Sequence, residues 1–378
     1  MKIHFLIKNQ GKYNLQLYLP VMSQLHNRVN RHELKKRLQE ETIERKTVSF
    51  YRYVEIKNPI SMRDQLYEQW ERLQVFGRIY LAAEGINAQL SVPNDNWEKF
   101  VQELYVIPEF SEVPFKVAVE DNGKSFYKLV VKVRDKIVAD GIDDPSFNPS
   151  DTGFYLDAAQ FNSYLEKNDT LVVDMRNHYE SEVGRFENAF CPDADTFREE
   201  LPLVVEHLKG NEHKNVLMYC TGGIRCEKAS AYLKYKGFDN VFHLKGGIIQ
   251  YAKEIKEKGL KSKFIGKNFV FDERIGERIT EDIISNCHQC GEPCDRHVNC
   301  KNDDCHLLFI QCEKCEKEMK GCCTPECVHI SLLPIEEQRK LRKGRIKNGP
   351  ECLSVYKSRL RPNLKEILSE KKLNIQQA

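Results

Sequence analysis

The residues of this chain whose types and spacing could do chemistry gather first in Val216-Leu-Met-Tyr-Cys220-Thr-Gly-Gly-Ile-Arg225-Cys-Glu-Lys228. A short apolar strand runs into a six-residue turn that opens on Cys220, passes Thr221, Gly222, Gly223 and Ile224, and closes on Arg225 at the start of a helix. The glycine pair lets successive amides point inward, and the helix aims its free N–H groups and the positive end of its dipole at the same spot. A sulfur anion is stabilised in such a cradle. A thiol of pKa about 8.5 falls to roughly 3.5–7.5 beside a helix N-terminus and a guanidinium, so Cys220 is expected to be a thiolate nucleophile. The competing reading makes it a small apolar residue ending a core strand. Cys226 is either a resolving thiol for an oxidised or persulfidated Cys220, which requires Cα atoms within about 7 Å, or helix packing. Cys191 has no motif around it and is expected to be core.

A second concentration lies downstream. Of 14 cysteines, ten crowd between Cys287 and Cys327: Cys287, Cys290, Cys294, Cys300, Cys305, Cys312, Cys315, Cys322, Cys323 and Cys327. In a reducing compartment such spacings point to metal rather than disulfides. Zinc held by four thiolates organises a segment this poor in apolar residues, because binding itself supplies folding free energy. Two four-cysteine sites would use eight of the ten, His288, His297 and His306 are further possible ligands, and spacing alone does not give the pairing. Free thiols are the alternative.

Composition bounds the rest. At 378 residues two or three domains are expected. The net charge of +2 makes any nucleic-acid binding a matter of local patches. Two are visible. Lys128, Lys132 and Arg134 alternate along a strand-like run from Phe126 to Val133, and Arg339, Lys340, Arg342, Lys343 and Arg345 form an acid-free strip near the C-terminus. Both read as phosphate contacts, or else as a protected sheet edge and a frayed tail. No apolar run approaches the roughly 18 residues of a membrane span, and the N-terminal one is too short for a secretory signal, so a cytoplasmic protein is expected. No flavin, haem or nicotinamide motif is present, and nothing indicates the oligomeric state.

The elements that must position these residues follow from periodicity. Residues 1–45 are an N-terminal extension with a charged helix. Residues 46–140 carry strand Thr47–Val54, helix Ser61–Gln74 ended by Gly77, strands Arg78–Ala82 and Ile86–Val92, a helix from Asp95 to Tyr105 and strand Phe115–Val119. That order, β-α-β-β-α-β, is the ferredoxin-like α+β unit. At its hairpin, Glu84-Gly-Ile-Asn87 is either a functional loop or turn chemistry. Residues 141–265 alternate near-continuous apolar strands with helices, which predicts a doubly wound parallel sheet with reactive groups beyond the strand carboxyl ends, where Asp174, Arg176 and Cys220 fall. Arg176 either joins the pocket or pairs with Glu180 or Glu182. Residues 266–335 are the Cys-rich segment and 336–378 a basic tail.

The Cys220–Arg225 loop, Val172-Val-Asp-Met-Arg176 upstream and Leu244-Lys-Gly-Gly247 downstream resemble, in order and spacing, the rhodanese family. Related phosphatase loops place the arginine one position further on, and the tighter cradle suits a single sulfur or oxygen atom. With Leu81-Ala-Ala-Glu-Gly-Ile-Asn87, Asp174-Met-Arg-Asn-His-Tyr-Glu180, Gly184-Arg-Phe-Glu-Asn-Ala189 and the Asn299 to Cys327 cluster, the chain resembles the rhodanese-domain tRNA uridine hydroxylases. Met175 and Ala88 depart from the expected pattern. The resemblance implies oxygen-dependent formation of 5-hydroxyuridine at wobble position 34, with tRNA, through its anticodon loop, as partner and molecular oxygen as co-substrate. From the loop itself follows a hypothesis for the catalytic roles: the Cys220 thiolate adds to C6 of the uracil, and Arg225 with the loop amides stabilises the developing negative charge. A sulfurtransferase carrying a persulfide on Cys220 is the alternative.

Overall fold

The computed structural model describes Leu25, Asn27 and residues 29–343. After α1 (Arg31–Glu40) come β1 (Arg45–Tyr53), α2 (Pro59–Arg72), β2 (Phe76–Ala82), β3 (Gly85–Pro93), α3 (Trp97–Tyr105), β4 (Lys116–Val117) and β5 (Leu129–Val133). The strands pair in the order β4-β1-β3-β2-β5, a ferredoxin-like sheet with β5 added parallel to β2 at one edge. Strand alternation assigns the faces. Val48, Phe50, Ile79, Leu81, Ala88 and Leu90 pack against Leu66 and Trp70 of α2 and Phe100 and Leu104 of α3. Ser49, Tyr51, Tyr80, Asn87 and Gln89 take the other face, which turns toward the next domain rather than to water.

That domain contains β6 (Phe154–Leu156), α4 (Ala158–Leu165), β7 (Thr170–Asp174), α5 (His178–Ser181), β8 (Gly184–Phe186), α6 (Phe197–Leu208), β9 (Asn215–Tyr219), α7 (Ile224–Tyr235), β10 (Asn240–Leu244) and α8 (Gly247–Lys258). Its parallel sheet has the order β6-β10-β9-β7. Along β9, Val216 and Met218 face α6 and α7 while Leu217 and Tyr219 face α4 and α8. Burial on both faces explains why the strand reads as an unbroken apolar run.

Downstream lie β11 (Phe264–Phe269), β12 (Gly276–Arg278), β13 (His297–Asn299), β14 (Leu308–Ile310), α9 (Glu313–Glu318), α10 (Pro325–Leu332) and α11 (Ile335–Arg342). A small sheet of order β12-β11-β8 ties this segment to the parallel-sheet domain. At the other end, α1 lies on the first domain through buried Leu34 and Leu38, with Lys124 Nζ donating to the Leu38 and Glu41 carbonyls at 2.6 Å each.

Several expectations are corrected. The first-domain helix stops at Arg72, not Gln74, and Gly77 lies inside β2, where an added Cβ would sit 2.3 Å from the Gln89 carbonyl oxygen. The runs expected as strands Phe115–Val119 and Phe126–Val133 pair only over Lys116–Val117 and Leu129–Val133. The stretch that forms β8 reads in sequence as irregular chain; its strand conformation depends on β11, some eighty residues away, so no local pattern announces it.

Candidate active site

Cys220 directly follows β9 and is 1 % exposed. Gly223, at φ +97°, turns the chain so that its N–H donates to Cys220 Sγ at 3.1 Å. Burial pushes the thiol up. The Cys226 thiol, the Arg225 guanidinium and the Cys226 and Gly223 amides outweigh it and bring Cys220 down to about 6. Cys226, buried as deeply, moves far the other way through its own burial and the Cys220 charge it faces. The two sulfurs are therefore neighbours whose pKa values are driven in opposite directions.

Arg225 is committed rather than free. Its guanidinium donates to both Glu180 oxygens at 2.6 and 2.9 Å, and Thr221 Oγ1 donates to the same carboxylate at 3.2 Å. Glu180 is fully buried on α5, so the fork closes the loop as a bidentate pair. From beneath, Ile248 N and Ile249 N at the start of α8 donate to the Cys220 and Thr221 carbonyls at 3.0 and 3.2 Å. Gly247, at φ +67°, is required there: a Cβ would lie 2.5 Å from the Cys220 carbonyl oxygen. Glu200 of α6 is buried near Arg225 with neither oxygen bonded, and burial holds its carboxyl well above the usual range.

Above the loop is a cavity of about 330 Å³. Its floor is Cys220, Thr221, Gly222, Ile224 and Arg225; its roof is the polar face of the first sheet, with Ser49, Tyr51, Tyr80, Asn87 and Gln89; Phe271, Arg274 and Glu277 of the downstream segment close a side. The halves are pinned beside it. Lys228 of α7, 2 % exposed, reaches Glu84 at 2.8 Å and Asp140 at 2.6 Å, and Tyr51 Oη donates to Glu227 at 2.7 Å. Glu84-Gly-Ile-Asn87 thus does more than turn: Glu84 joins the domains and Asn87 lines the cavity. Neither Glu180 nor Lys228 stood among the expected site residues, although both lie inside the quoted motifs. Lys116, also in the lining, sat in a strand with no chemical signature.

Other expected residues fall elsewhere. Arg176 pairs with Asp174 at 2.8 and 2.6 Å and with the Gly184 carbonyl at 2.6 Å, fully buried, so it bonds neither Glu180 nor Glu182, and neither it nor Asp174 lines the cavity. Lys132 is exposed on edge strand β5, with half-buried Lys128 just before the strand and exposed Arg134 just after it. Arg339 and Lys340 are exposed on α11; Arg339 pairs with Glu336, and Arg342 lies 3.7 Å from Asp303. Lys343 is exposed just after α11, and Arg345 lies outside the described residues.

The cysteines sort into two interleaved groups, Cys287, Cys290, Cys312 and Cys315, and Cys300, Cys305, Cys323 and Cys327, each with its sulfurs within 4.8 Å of one another. Sulfurs of Cys290 and Cys312 are 3.6 Å apart, Cys305 and Cys323 3.6 Å, and Cys323 and Cys327 3.7 Å. A tetrahedron with metal–sulfur bonds of about 2.3 Å has edges of about 3.8 Å, so both groups fit a metal ion. Cys294 and Cys322 belong to neither group; Cys294 Sγ accepts from Arg296 N and the Cys322 thiol faces Ser331. The histidines are also elsewhere: His288 pairs with Glu182 at 2.6 Å, His297 is buried against Phe269 and His306 lies 3.9 Å from Asp303.

A doubly wound parallel sheet whose central strand ends in a thiolate-binding loop, braced by a glycine turn after the next strand, defines a rhodanese-type domain, here roofed by a ferredoxin-like one. Family profiles agree: an acylphosphatase-like domain matches residues 45–137, a rhodanese-like domain 157–254 and a rhodanese C-terminal domain 265–328. The chain is 55% identical to a tRNA uridine(34) hydroxylase of Photorhabdus laumondii over 91% of its own length and 97% of the relative. The same name is carried by relatives from Yersinia enterocolitica, 56% identical over 91% and 98%, and Escherichia fergusonii, 54% identical over 93% and 100%. The chain belongs to the tRNA uridine(34) hydroxylase family.

Proposed function

We propose that this protein hydroxylates C5 of the wobble uridine, position 34, of tRNA, working in the cytoplasm as a monooxygenase-type oxidoreductase with molecular oxygen as co-substrate and Cys220 as nucleophile. The observation that carries the reading is a buried cysteine, Cys220, on the floor of a cavity of about 330 Å³, at the small end of the ~300–1,000 Å³ of ligand sites. A single unstacked base suits it. The anticodon nucleotide must leave its stack to reach sulfur.

Cys220 adds to C6, a C–S bond forms, and the C5–C6 π pair becomes an enolate able to react with oxygen at C5. One oxygen atom ends in the C5 hydroxyl and the other leaves as water, taking two electrons and two protons from an external dithiol that becomes a disulfide; loss of the C5 proton then breaks the S–C6 bond, restores the C5–C6 double bond and frees the Cys220 thiolate. Arg225, held by Glu180, keeps the thiolate ionised, and Cys226 supplies a hydrogen bond to it and a nearby thiol for any sulfur oxidised in the cycle. Lys128, Lys132 and Arg134 along and beside β5, with the α11 strip, are the candidate phosphate contacts. The two cysteine groups are assigned to zinc; closed four-thiolate sites leave no open coordination position, so the metal organises the fold.

The test is nucleoside mass spectrometry of total tRNA from cells lacking the protein, complemented with wild type or Cys220→Ala. Loss of 5-hydroxyuridine-derived wobble nucleosides, restored only by wild type, is expected. Unchanged hydroxylation with depleted thiolated nucleosides would instead make the protein a sulfurtransferase.

A further inference from the structure

Addition of sulfur to C6 leaves negative charge on the uracil, chiefly on O4, and the loop's own cation is already committed to Glu180 by two hydrogen bonds. Two further cations line the cavity, Arg274, which is paired with Asp272 and Glu277, and Lys116. Lys116 of β4 stands beside Ser49, its register partner on β1, and Ser49 is in turn opposite Gln89 of β3. All three line the cavity as one polar row. The Lys116 side chain crosses from the roof to the floor: its stem comes within 3.9 Å of where a Cβ on Gly222 would lie and 3.7 Å of one on Gly246. Its ammonium lies 4.3 Å from the centre of the Tyr51 ring.

The residue is 8 % exposed, yet among the described residues no carboxylate lies within ion-pair distance of it. A buried ammonium without a carboxylate is costly, and the structures that keep one give it a partner. Here its polar surroundings are the Tyr51 face and, further off, the charges of Glu227 and Cys220. Burial lowers Lys116 to about 8, and those two charges oppose the fall, so at neutral pH it remains largely a cation.

From this placement we propose that Lys116 is a catalytic residue, contributed by the ferredoxin-like domain, whose ammonium hydrogen-bonds O4 of the uracil and takes up the charge that develops there as Cys220 attacks C6. The inference rests on the C6-addition reading given above. In this step the S–C6 bond forms, the C5–C6 π electrons move onto C5 and O4, and no proton or oxidant is consumed. A donor preorganised in a buried site toward an incipient oxyanion contributes about 10²–10³ in rate. The same contact selects against cytosine, which presents an amino donor at C4. It also brings the first domain into the chemistry. The nucleophile and the electrostatic catalyst come from different domains, and the cavity functions only when Glu84 and Lys228 hold them together.

The experiment uses full-length enzyme and a tRNA carrying 5-fluorouridine at position 34, which traps the C6 adduct as a covalent complex visible by denaturing gel and intact mass. Wild type, Lys116→Met and Lys116→Arg are compared for the rate of adduct formation and, separately, for tRNA affinity. Lys116→Met is expected to slow adduct formation about 100-fold or more while tRNA affinity stays within about threefold, with partial recovery in Lys116→Arg. Adduct formation by Lys116→Met at the wild-type rate overturns the assignment while leaving C6 attack standing. An equal loss of affinity and rate makes Lys116 a phosphate contact and overturns it too. A wild-type enzyme that is active yet forms no adduct removes the C6-addition reading, and the assignment with it. If Lys116→Met does not fold, Lys116→Gln, which keeps a polar end in the cavity, carries the same comparison.

Discussion

Two cysteines a turn apart, both fully buried, are driven in opposite directions, and the cause is local. Cys220 accepts hydrogen bonds from the Gly223 and Cys226 amides and the Cys226 thiol, whereas Cys226 faces the resulting charge. The sign of the pH response follows. Cys220 is depressed to about 6, so its thiolate is present above that pH and lost as pH falls through it; Lys116, lowered to about 8, is a cation below that pH and loses its proton as pH rises through it. The groups facing Lys116 are Tyr51, Glu227 and Cys220, of which Tyr51 is raised far out of this window. Expected for kcat/KM is a bell with an acid limb near 6 and a basic limb near 8, measured with tRNA in excess buffer. A Lys116→Met enzyme should keep the acid limb and lose the basic one.

At the scale of elements, the active-site loop is shaped as much by α8 as by its own glycines. The α8 amides hold the Cys220 and Thr221 carbonyls, and the Gly246-Gly247 turn sits under them. Gly247→Ala puts a Cβ into that contact at a positive φ. It is expected to cost about 1–3 kcal/mol of stability and to reduce turnover more than tenfold by moving Cys220, as read by thermal melting and single-turnover rate. Gly222 differs: an added Cβ would meet only the Lys116 stem at 3.9 Å, so Gly222→Ala should fold normally and act on substrate approach instead.

For the whole molecule, three parts of the chain meet at one cavity. The Cys-rich segment reaches it through β12 and its preceding turn: Glu277 accepts from Val119 N at 3.0 Å and from Arg274, while Asp295, next to Cys294 in the chain, holds Lys267 and Arg278 at 3.0 and 2.5 Å. Each chain should therefore carry two zinc ions, measurable by elemental analysis. Stripping them with a chelator should unfold the segment beyond β12, raise its amide exchange, and abolish hydroxylation although no metal touches the base. Full activity of metal-free protein would show that the cysteine groups serve no such role.

The sequence by itself determined what depends on neighbours along the chain. The thiolate loop rests on a glycine pair and an arginine within six residues. The parallel sheet shows as strands apolar on both faces, and the ferredoxin-like unit as an ordered alternation of periods. Those signals are local because turns, helix ends and two-sided burial impose requirements on adjacent residues. What only the tertiary structure decided are the contacts between distant segments. Glu180, forty-five positions before Arg225, is its partner, whereas Arg176 turns back on Asp174. The cysteines interleave as pairs from separate turns rather than in chain order. Lys116, an unremarked residue on a two-residue strand, becomes a cavity cation with no carboxylate in ion-pair distance among the described residues, because the sheet lays it across the Cys220 loop. Spacing carries no record of such meetings, since the free energy that selects them comes from packing one domain on another.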